Sequence, residues 1–291
     1  PMPFAREFSA PRADVVVATV PGVFASLARQ RSNASQLIFD WMDRWSTNAR
    51  TMGAASRLAT PGGIVQSTIW KQRERNLPAL AVRNTFAGYA DLSDMGRHLD
   101  LWLPTPVPAV THTRSKPRPV ARVGFIGNLN YEPNEFSLRS FLRSHSAQIH
   151  AAGVEILVAG FGSDRVREWP FPVSVMGPID DVGRFYEEID AAIVPIEHGG
   201  GIKVKAVVAL AHGVPVVGTA HVRSGFPPEI GSSAIIDVET FLAAPRRSLG
   251  PVDSGLLKSF RQDQFNIEVE RLLNSILSGP VPDRASLGDP Q

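Results

Sequence analysis

Short runs of β-branched and aliphatic residues alternate along this chain with stretches whose apolar residues recur at helical spacing. Runs at 14–20, 36–40, 64–67 and 79–82 predict four strands in the first hundred residues, with helices between them. Beyond residue 120 the alternation sharpens, and 122–126, 154–159, 173–176, 191–195, 214–219 and 234–237 read as strands. These later runs are apolar at successive positions rather than at every second one, the pattern of strands buried on both faces in a parallel sheet covered by helices. Residues 104–119, PTPVPAVTHTRSKPRP, contain five prolines and three Lys or Arg residues without apolar periodicity, and read as a linker. The segment 254–277 carries a helical apolar stripe, and the Pro/Gly-rich 279–291 reads as a disordered tail. The expected organisation is therefore α/β in two domains, 1–103 and 120–278, the second ending in a helix.

Composition narrows the function classes. The 291 residues suit about two domains, and 43% hydrophobic with 20% charged residues is ordinary globular composition. Thirty Lys and Arg against 28 Asp and Glu leave a net charge of +2, without the clustered excess that a nucleic-acid partner needs. The absence of cysteine excludes disulfides, thiolate metal sites and cysteine nucleophiles. No apolar run approaches the ~20 residues of a membrane span, and the first residues lack a signal-peptide pattern, which points to a cytoplasmic chain. A basic and aromatic run, Trp70-Lys71-Gln72-Arg73-Glu74-Arg75, is the candidate for peripheral contact at the inner membrane face, but it carries its own acid and reads more simply as a solvated helix face. The seven histidines show no metal spacing, and no nucleophile elbow, phosphate-binding P-loop or dinucleotide fingerprint is present. No metal and no cofactor are expected.

In an open parallel sheet the ligand lies beyond the carboxyl ends of the strands, and two segments there stand out. Residues 124–134, GFIGNLNYEPN, put Gly127 and Asn128 at a strand end before a helix beginning near Glu132. Gly127 lets the backbone approach a ligand closely; a tight turn with an asparagine helix cap is the plainer alternative. Residues 195–205, PIEHGGGIKVK, run Gly199, Gly200, Gly201 and Ile202 into a helix start whose free N–H groups and dipole favour an anion. Lys203 and Lys205 add charge there. Two positions apart, they sit about 200° around a helix, so both serve one ligand only if Lys203 is still in the loop. Lys205 is the stronger candidate for a phosphate. His198 suits a sugar or phosphate, or is a polar surface residue. Asp180-Asp181 reads as a helix cap, Asp40, Asp43, Trp41 and Trp45 follow the second strand at a cleft edge or in the core, and Ser224-Gly225-Phe226 offers backbone amides or a plain turn.

The ordered series VGFIGNLNYEPN (123–134), VEILVAGFGSD (154–164), VSVMGPIDDVGRFYEEIDAAIVPI (173–196) and GGGIKVKAVVALAHGVPVVGT (199–219) resembles the nucleotide-sugar-binding half of GT-B glycosyltransferases, particularly family 4. A weaker similarity at 64–67 and 80–84 matches the end of that family's acceptor domain. The resemblance implies two Rossmann-like domains with parallel sheets flanked by helices, the first incomplete, facing each other across a cleft. It further implies a nucleoside diphosphate sugar donor, UDP- or GDP-linked, a saccharide or lipid-linked acceptor in surface-polysaccharide synthesis, transfer with retention and no obligatory metal. On this resemblance Lys205, Lys203 and His198 are the catalytic candidates, Gly127 and Asn128 lie near the phosphates, and Gly177, Pro178 and Ile179 lie near the base.

Departures from the family pattern keep a second reading open. The family's paired acidic positions are occupied here by Gly200 and Val208. Val208 cannot accept from ribose hydroxyls, and losing a charged hydrogen-bond partner costs about 1.5–3 kcal/mol. The first loop offers Asn128, Asn130 and Asn134 where many members have Arg and Lys. The alternative is a catalytically degenerate glycosyltransferase-like module that binds a partner or glycan, with a sugar-nucleotide epimerase as a further relative.

Overall fold

A computed structural model describes residues 13–29, 36–47, 60–108, 110, 118–250 and 252–278. The expected tail at 279–291 and most of 109–117 lie outside these described residues.

The first half runs β1 (Val15–Ala18), α1 (Pro21–Arg29), β2 (Gln36–Trp41), α2 (Thr60–Asn76), β3 (Arg83–Phe86), α3 (Tyr89–Met95) and β4 (Leu101–Trp102). Its strands pair in parallel in the order β1-β2-β3-β4. Side-chain alternation along β2 sends Leu37, Phe39 and Trp41 to one face, with Phe24 of α1 and Phe86, and Ile38 to the other. Phe24, Phe39, Trp41 and Phe86 stack in a row with successive ring centroids 4.5, 4.2 and 5.9 Å apart. Trp41 is thus a core residue rather than a cleft-edge one.

Two expected strands fall elsewhere. Residues 64–67 lie inside α2; a segment with only Ile64 and Val65 apolar carries no period that separates helix from strand, and the unbroken helix formers from Lys71 to Arg75 carry the helical conformation through it. Residues 79 and 80 lie within a 3₁₀ turn at Pro78–Leu80, 81 and 82 lead out of it, and the strand begins only at Arg83, in register with Ile38. A buried network pins that register. Asn84 accepts from Trp41 Nε1 at 3.1 Å, and its Nδ2 donates to Asp100 Oδ2 at 3.0 Å and to the Pro78 carbonyl at 3.1 Å. On α2, Glu74 is 1% exposed and accepts from the backbone N–H and the hydroxyl of Ser46. The acid of the 70–75 run is therefore withdrawn into the interior, leaving Lys71, Arg73 and Arg75 exposed.

After β5 (Arg118–Pro119), the second half runs β6 (Arg122–Ile126), α4 (Glu132–Ala151), β7 (Glu155–Ala159), β8 (Ser174–Gly177), α5 (Val182–Glu188), β9 (Ala191–Val194) and α6 (Val204–Ala211). It continues through β10 (Val216–Gly218), α7 (Ala220–Ser224), α8 (Pro228–Ala234), β11 (Ile235–Asp237), α9 (Val238–Ala243) and β12 (Ser248–Leu249), which pairs antiparallel with β5. The main sheet has the order β11-β10-β9-β6-β7-β8, and all its pairs are parallel. Every residue of β9 is buried, Ala191 and Ile193 against the α4 face and Ala192 and Val194 against the α5 and α6 face. That two-sided burial is what the uninterrupted apolar runs encode.

The last helix, α10 (Gln262–Leu277), follows the second half in sequence but returns to the first. Leu272 and Ile276 pack on Ile38 and close the free face of the β1–β4 sheet. Among the described residues no helix is long and apolar enough to cross a membrane. Asn84→Ala would leave Trp41 Nε1 and Asp100 Oδ2 without their Asn84 bonds in the interior, and is expected to cost about 2–4 kcal/mol of stability. Denaturant unfolding checks this; a loss below about 0.5 kcal/mol would remove the network from its structural role.

Candidate functional site

The main sheet has one topological switch. β6 and β9 are neighbours, yet the helix after β6 covers one face and the helix after β9 the other. The loops leaving these two strands diverge and leave a crevice between the N-termini of α4 and α6. Both loops singled out from the sequence flank it.

The loop after β6 is held by its own asparagines. Gly127 N–H donates to Ala159 at 3.1 Å, Asn130 N–H donates to Asn128 Oδ1 at 3.0 Å, and Asn134 Nδ2 donates to the Asn128 carbonyl at 3.0 Å. The loop passes so close to the next strand end that a Cβ on Gly160, where φ is +108°, would lie 2.2 Å from the Gly127 oxygen. Tyr131 is the N-cap of α4 without a side-chain cap bond, so the asparagines shape the loop instead of capping the helix. At α5, in contrast, Asp181 caps as its sequence suggests, accepting from Gly183 N–H at 2.8 Å.

Across the crevice the two lysines have different surroundings. Lys203 is the N-cap residue of α6 with extended backbone, still in the loop, but its ammonium folds back onto the carbonyls of Gly200 and Gly201. Lys205 reaches across: its Nζ donates to Asn134 Oδ1 at 2.7 Å and lies 4.9 Å from the centre of the Phe125 ring. Burial, reinforced by the charge of Lys203, depresses the Lys205 ammonium to about 8. Lys205 and Asn134 thereby join the two loops at the head of the crevice. Val208 is half-buried and packs against the α5 and α6 core. Gly177, with φ of +89°, ends β8, and its carbonyl accepts from Gly160 N–H at 2.9 Å; Pro178 is exposed and Ile179 leans on the same core as Val208. His198 is exposed, and with Glu197 it faces a shallow cleft of about 250 Å³ between α4 and the ends of β9–β11, lined also by Ser137 and Thr219.

The triglycine loop touches the first half directly. A Cβ on Gly200 would lie 2.2 Å from Arg44 N, and one on Gly201 2.3 Å from the Met42 oxygen and 2.6 Å from Asp43 Oδ1. Gly201 has φ of +64° and donates its N–H to Asp91 Oδ2 at 2.8 Å. Nearby, Tyr89 N–H donates to the Gly225 carbonyl at 3.0 Å, so Gly225 serves this contact through its oxygen, while Phe226 is a core residue. Asp43 stands at this contact, beside Gly201; burial foremost, and then the Asp43 charge, push the Tyr131 phenol up.

With this geometry in place, comparison with known proteins becomes informative. Residues 120–248 match the family model described as Glycosyl transferases group 1. Nearly the whole chain superposes on solved structures. Sucrose-phosphate synthase from Thermosynechococcus elongatus gives a TM-score of 0.65 at 14% identity, over 91% of this chain and 74% of that one. Anabaena HepE in complex with UDP gives 0.60 at 14% identity over 90% and 79%, and TarM gives 0.58 at 12% over 90% and 54%. The chain has the GT-B glycosyltransferase fold. Its second half carries the match to the group 1 glycosyl transferase family, and the chain as a whole spans about half of TarM and about three quarters of the other two. No curated protein matches it. The two parallel sheets flanked by helices are the architecture expected of a GT-B chain.

Two residues of this GT-B cleft escaped the sequence reading. Asp91 lies in a short helix of the first half and carries no motif; only the fold brings it to Gly201. His221 has no metal partner in the sequence, but α7 places it under the triglycine loop, bonded to the Gly199 backbone. Burial and the charge of Lys203 hold its imidazole down to about 4, and its buried Nε2 makes no hydrogen bond among the described residues. Neither loop offers a metal-binding cluster among the described residues.

Lys205 sets a test of stability against function. Its ammonium titrates near 8 in the fold and near 10.5 as a free side chain, so between those values the folded chain binds fewer protons than the unfolded one and stability rises with pH. Lys205→Met removes this penalty and is expected to gain about 1–2 kcal/mol at pH 7, a gain that shrinks by pH 10. Paired thermal melts at the two pH values read it; a variant less stable than the parent at pH 7 would refute a strained buried ammonium.

Proposed function

We propose that this chain transfers a sugar from a nucleoside diphosphate donor, UDP- or GDP-linked, to a saccharide or lipid-linked acceptor in surface-polysaccharide synthesis, with retention of configuration. The observation that carries the reading is the Lys205 ammonium, held by Asn134 at the head of the switch-point crevice with the N-terminus of α6 behind it. When the anomeric C–O bond breaks, the electron pair leaves with the diphosphate, and the acceptor oxygen forms the new bond. A preformed cation and helix dipole in a low-dielectric crevice stabilise that developing charge without needing a metal ion. Solved structures of the same fold include HepE with UDP and a pneumococcal O-GlcNAc transferase with UDP and GlcNAc, which supports a uridine donor first. In this reading Gly127 and Asn128 approach the phosphates, Gly177, Pro178 and Ile179 border the base, and His198 lies on the sugar side. The exposed Lys71, Arg73 and Arg75, with Glu74 withdrawn, support peripheral contact with an anionic inner membrane face, where a lipid-linked acceptor would be met.

A second reading is favoured by Val208. Its aliphatic side chain packs against the α5 and α6 core where the family presents a carboxylate to the ribose, which suits a degenerate module that binds a glycan or partner without turnover.

Calorimetry of the chain with UDP, GDP, ADP and their common sugar conjugates separates these. The donor reading expects one nucleotide at micromolar strength and a loss of roughly tenfold or more in Lys205→Ala. Undiminished affinity in the variant would displace Lys205 from the site, and no binding at all would favour the degenerate module.

A further inference from the structure

Between Asp43 and Asp91 the chain carries seven Lys and Arg against a single acid, Glu74, although its formal net charge is only +2. The fold sharpens this local excess. Glu74 points inward from α2 onto Ser46 and Arg44, while Lys71, Arg73 and Arg75 are exposed on the same helix and form no ion pair among the described residues. The stretch of α2 just before them is exposed and apolar. Ile64, Val65 and Ile69 are 57%, 59% and 46% exposed, and Val65, nine positions before Glu74, stands half a turn around the helix from it, on the side away from the interior. Trp45, packed on Trp70 with ring centroids 4.9 Å apart, and the exposed Met42 of the same loop carry this surface toward the cleft, where the Met42 oxygen borders Gly201.

We propose that α2 is a docking face that inserts into an anionic lipid bilayer: Ile64, Val65 and Ile69 enter the boundary between headgroups and acyl chains, and Lys71, Arg73 and Arg75 hold the headgroup phosphates. The exposed charge gives the sign of the partner, and the exposed aliphatic side chains give its kind. A nucleic acid matches the charge but offers nothing to three aliphatic side chains; its bases seek open aromatic rings, and Trp70 is covered by Arg73, 5.2 Å over the ring, and by Trp45. A second copy of the chain matches the aliphatic residues, but a two-fold contact sets the same basic residues against each other. The apolar residues precede the basic ones along the helix axis, so 64–69 lies deeper in the bilayer than 71–75. Insertion fixes more than electrostatic contact does, because Met42 sets the cleft edge beside the docked face. Docking depends on the proposed transfer only for its purpose, which is to bring the cleft to a lipid-linked acceptor.

The test floats the full chain with vesicles of phosphatidylcholine alone and of a mixture of phosphatidylglycerol and phosphatidylcholine, at low and high salt. The expected result is binding to the anionic vesicles only, weakened by salt. Lys71→Gln, Arg73→Gln and Arg75→Gln together should weaken it at least tenfold, at roughly fivefold per charge. Ile64→Ser with Ile69→Ser, which keeps every charge, should weaken it by about fivefold or more. As a control, Arg167→Gln, Arg261→Gln and Arg271→Gln together remove the same charge from exposed positions that pair with neighbouring acids, and should match the parent. The parent alone decides the matter should a variant not fold: equal binding to neutral and anionic vesicles, or binding to neither, overturns the docking face. So does an unchanged Ile64→Ser, Ile69→Ser variant, which would leave only the ionic attraction that a nucleic acid also feels. An equal loss in the control overturns it too, as does a dimer in light scattering that the isoleucine variant dissolves. The donor reading fails separately, by nucleotide calorimetry without lipid, and neither result alters the other.

Discussion

The two halves of this chain meet backbone to backbone, and the geometry of the cleft depends on that contact. Gly200 and Gly201 approach Met42, Asp43 and Arg44 at distances that no side chain would tolerate, and Asp91 ties the same loop by hydrogen bond. Apolar contact accompanies it: Ala87 and Trp102 of the first half join the core of the second, with the Trp102 and Phe260 rings 5.6 Å apart. The glycines that look like a phosphate cradle in one dimension thus have a second demand on them in three.

Charge is arranged around that contact with economy. Of the two lysines entering α6, Lys203 spends its ammonium on the loop's own carbonyls within reach of Asp43 and Asp91, and Lys205 alone crosses the crevice. The strain of keeping Lys205 charged in a buried place is the same property that makes it useful opposite a leaving diphosphate, since weak screening strengthens both effects. His221, kept neutral beneath the loop, adds a hydrogen bond without adding repulsion.

The frame that holds this arrangement is tied twice. The network through Asn84, Trp41 and Asp100 sets the register of the first sheet, and α10 leaves the second half to seal that sheet with Leu272 and Ile276. A helix that is sequentially part of one half and spatially part of the other ties the two halves a second time, its Ile276 carbonyl also accepting from Gln36 Nε2 at 3.3 Å.

Sequence alone determined the class of the fold, because burial on both faces of a parallel sheet demands uninterrupted apolar runs, and the central strands β6, β7, β9 and β10 have them; β8, at the sheet edge, exposes Ser174 and Met176. It also located both crevice loops, since glycine-rich stretches between a strand and a helix have few other uses, and it singled out Lys205. It erred at 64–67 and 79–82, where short apolar runs carry no period long enough to separate helix from strand, and where the Asn84 network overrode local preference. Only the tertiary structure decided that Lys203 folds back onto the carbonyls of its own loop, that Glu74 is drawn inward and leaves a basic face, and that Asp91, 110 residues from Gly201 in the chain, shares its N–H. Such facts rest on contacts between distant segments, whose energy depends on where the backbone brings them and leaves no local pattern to read.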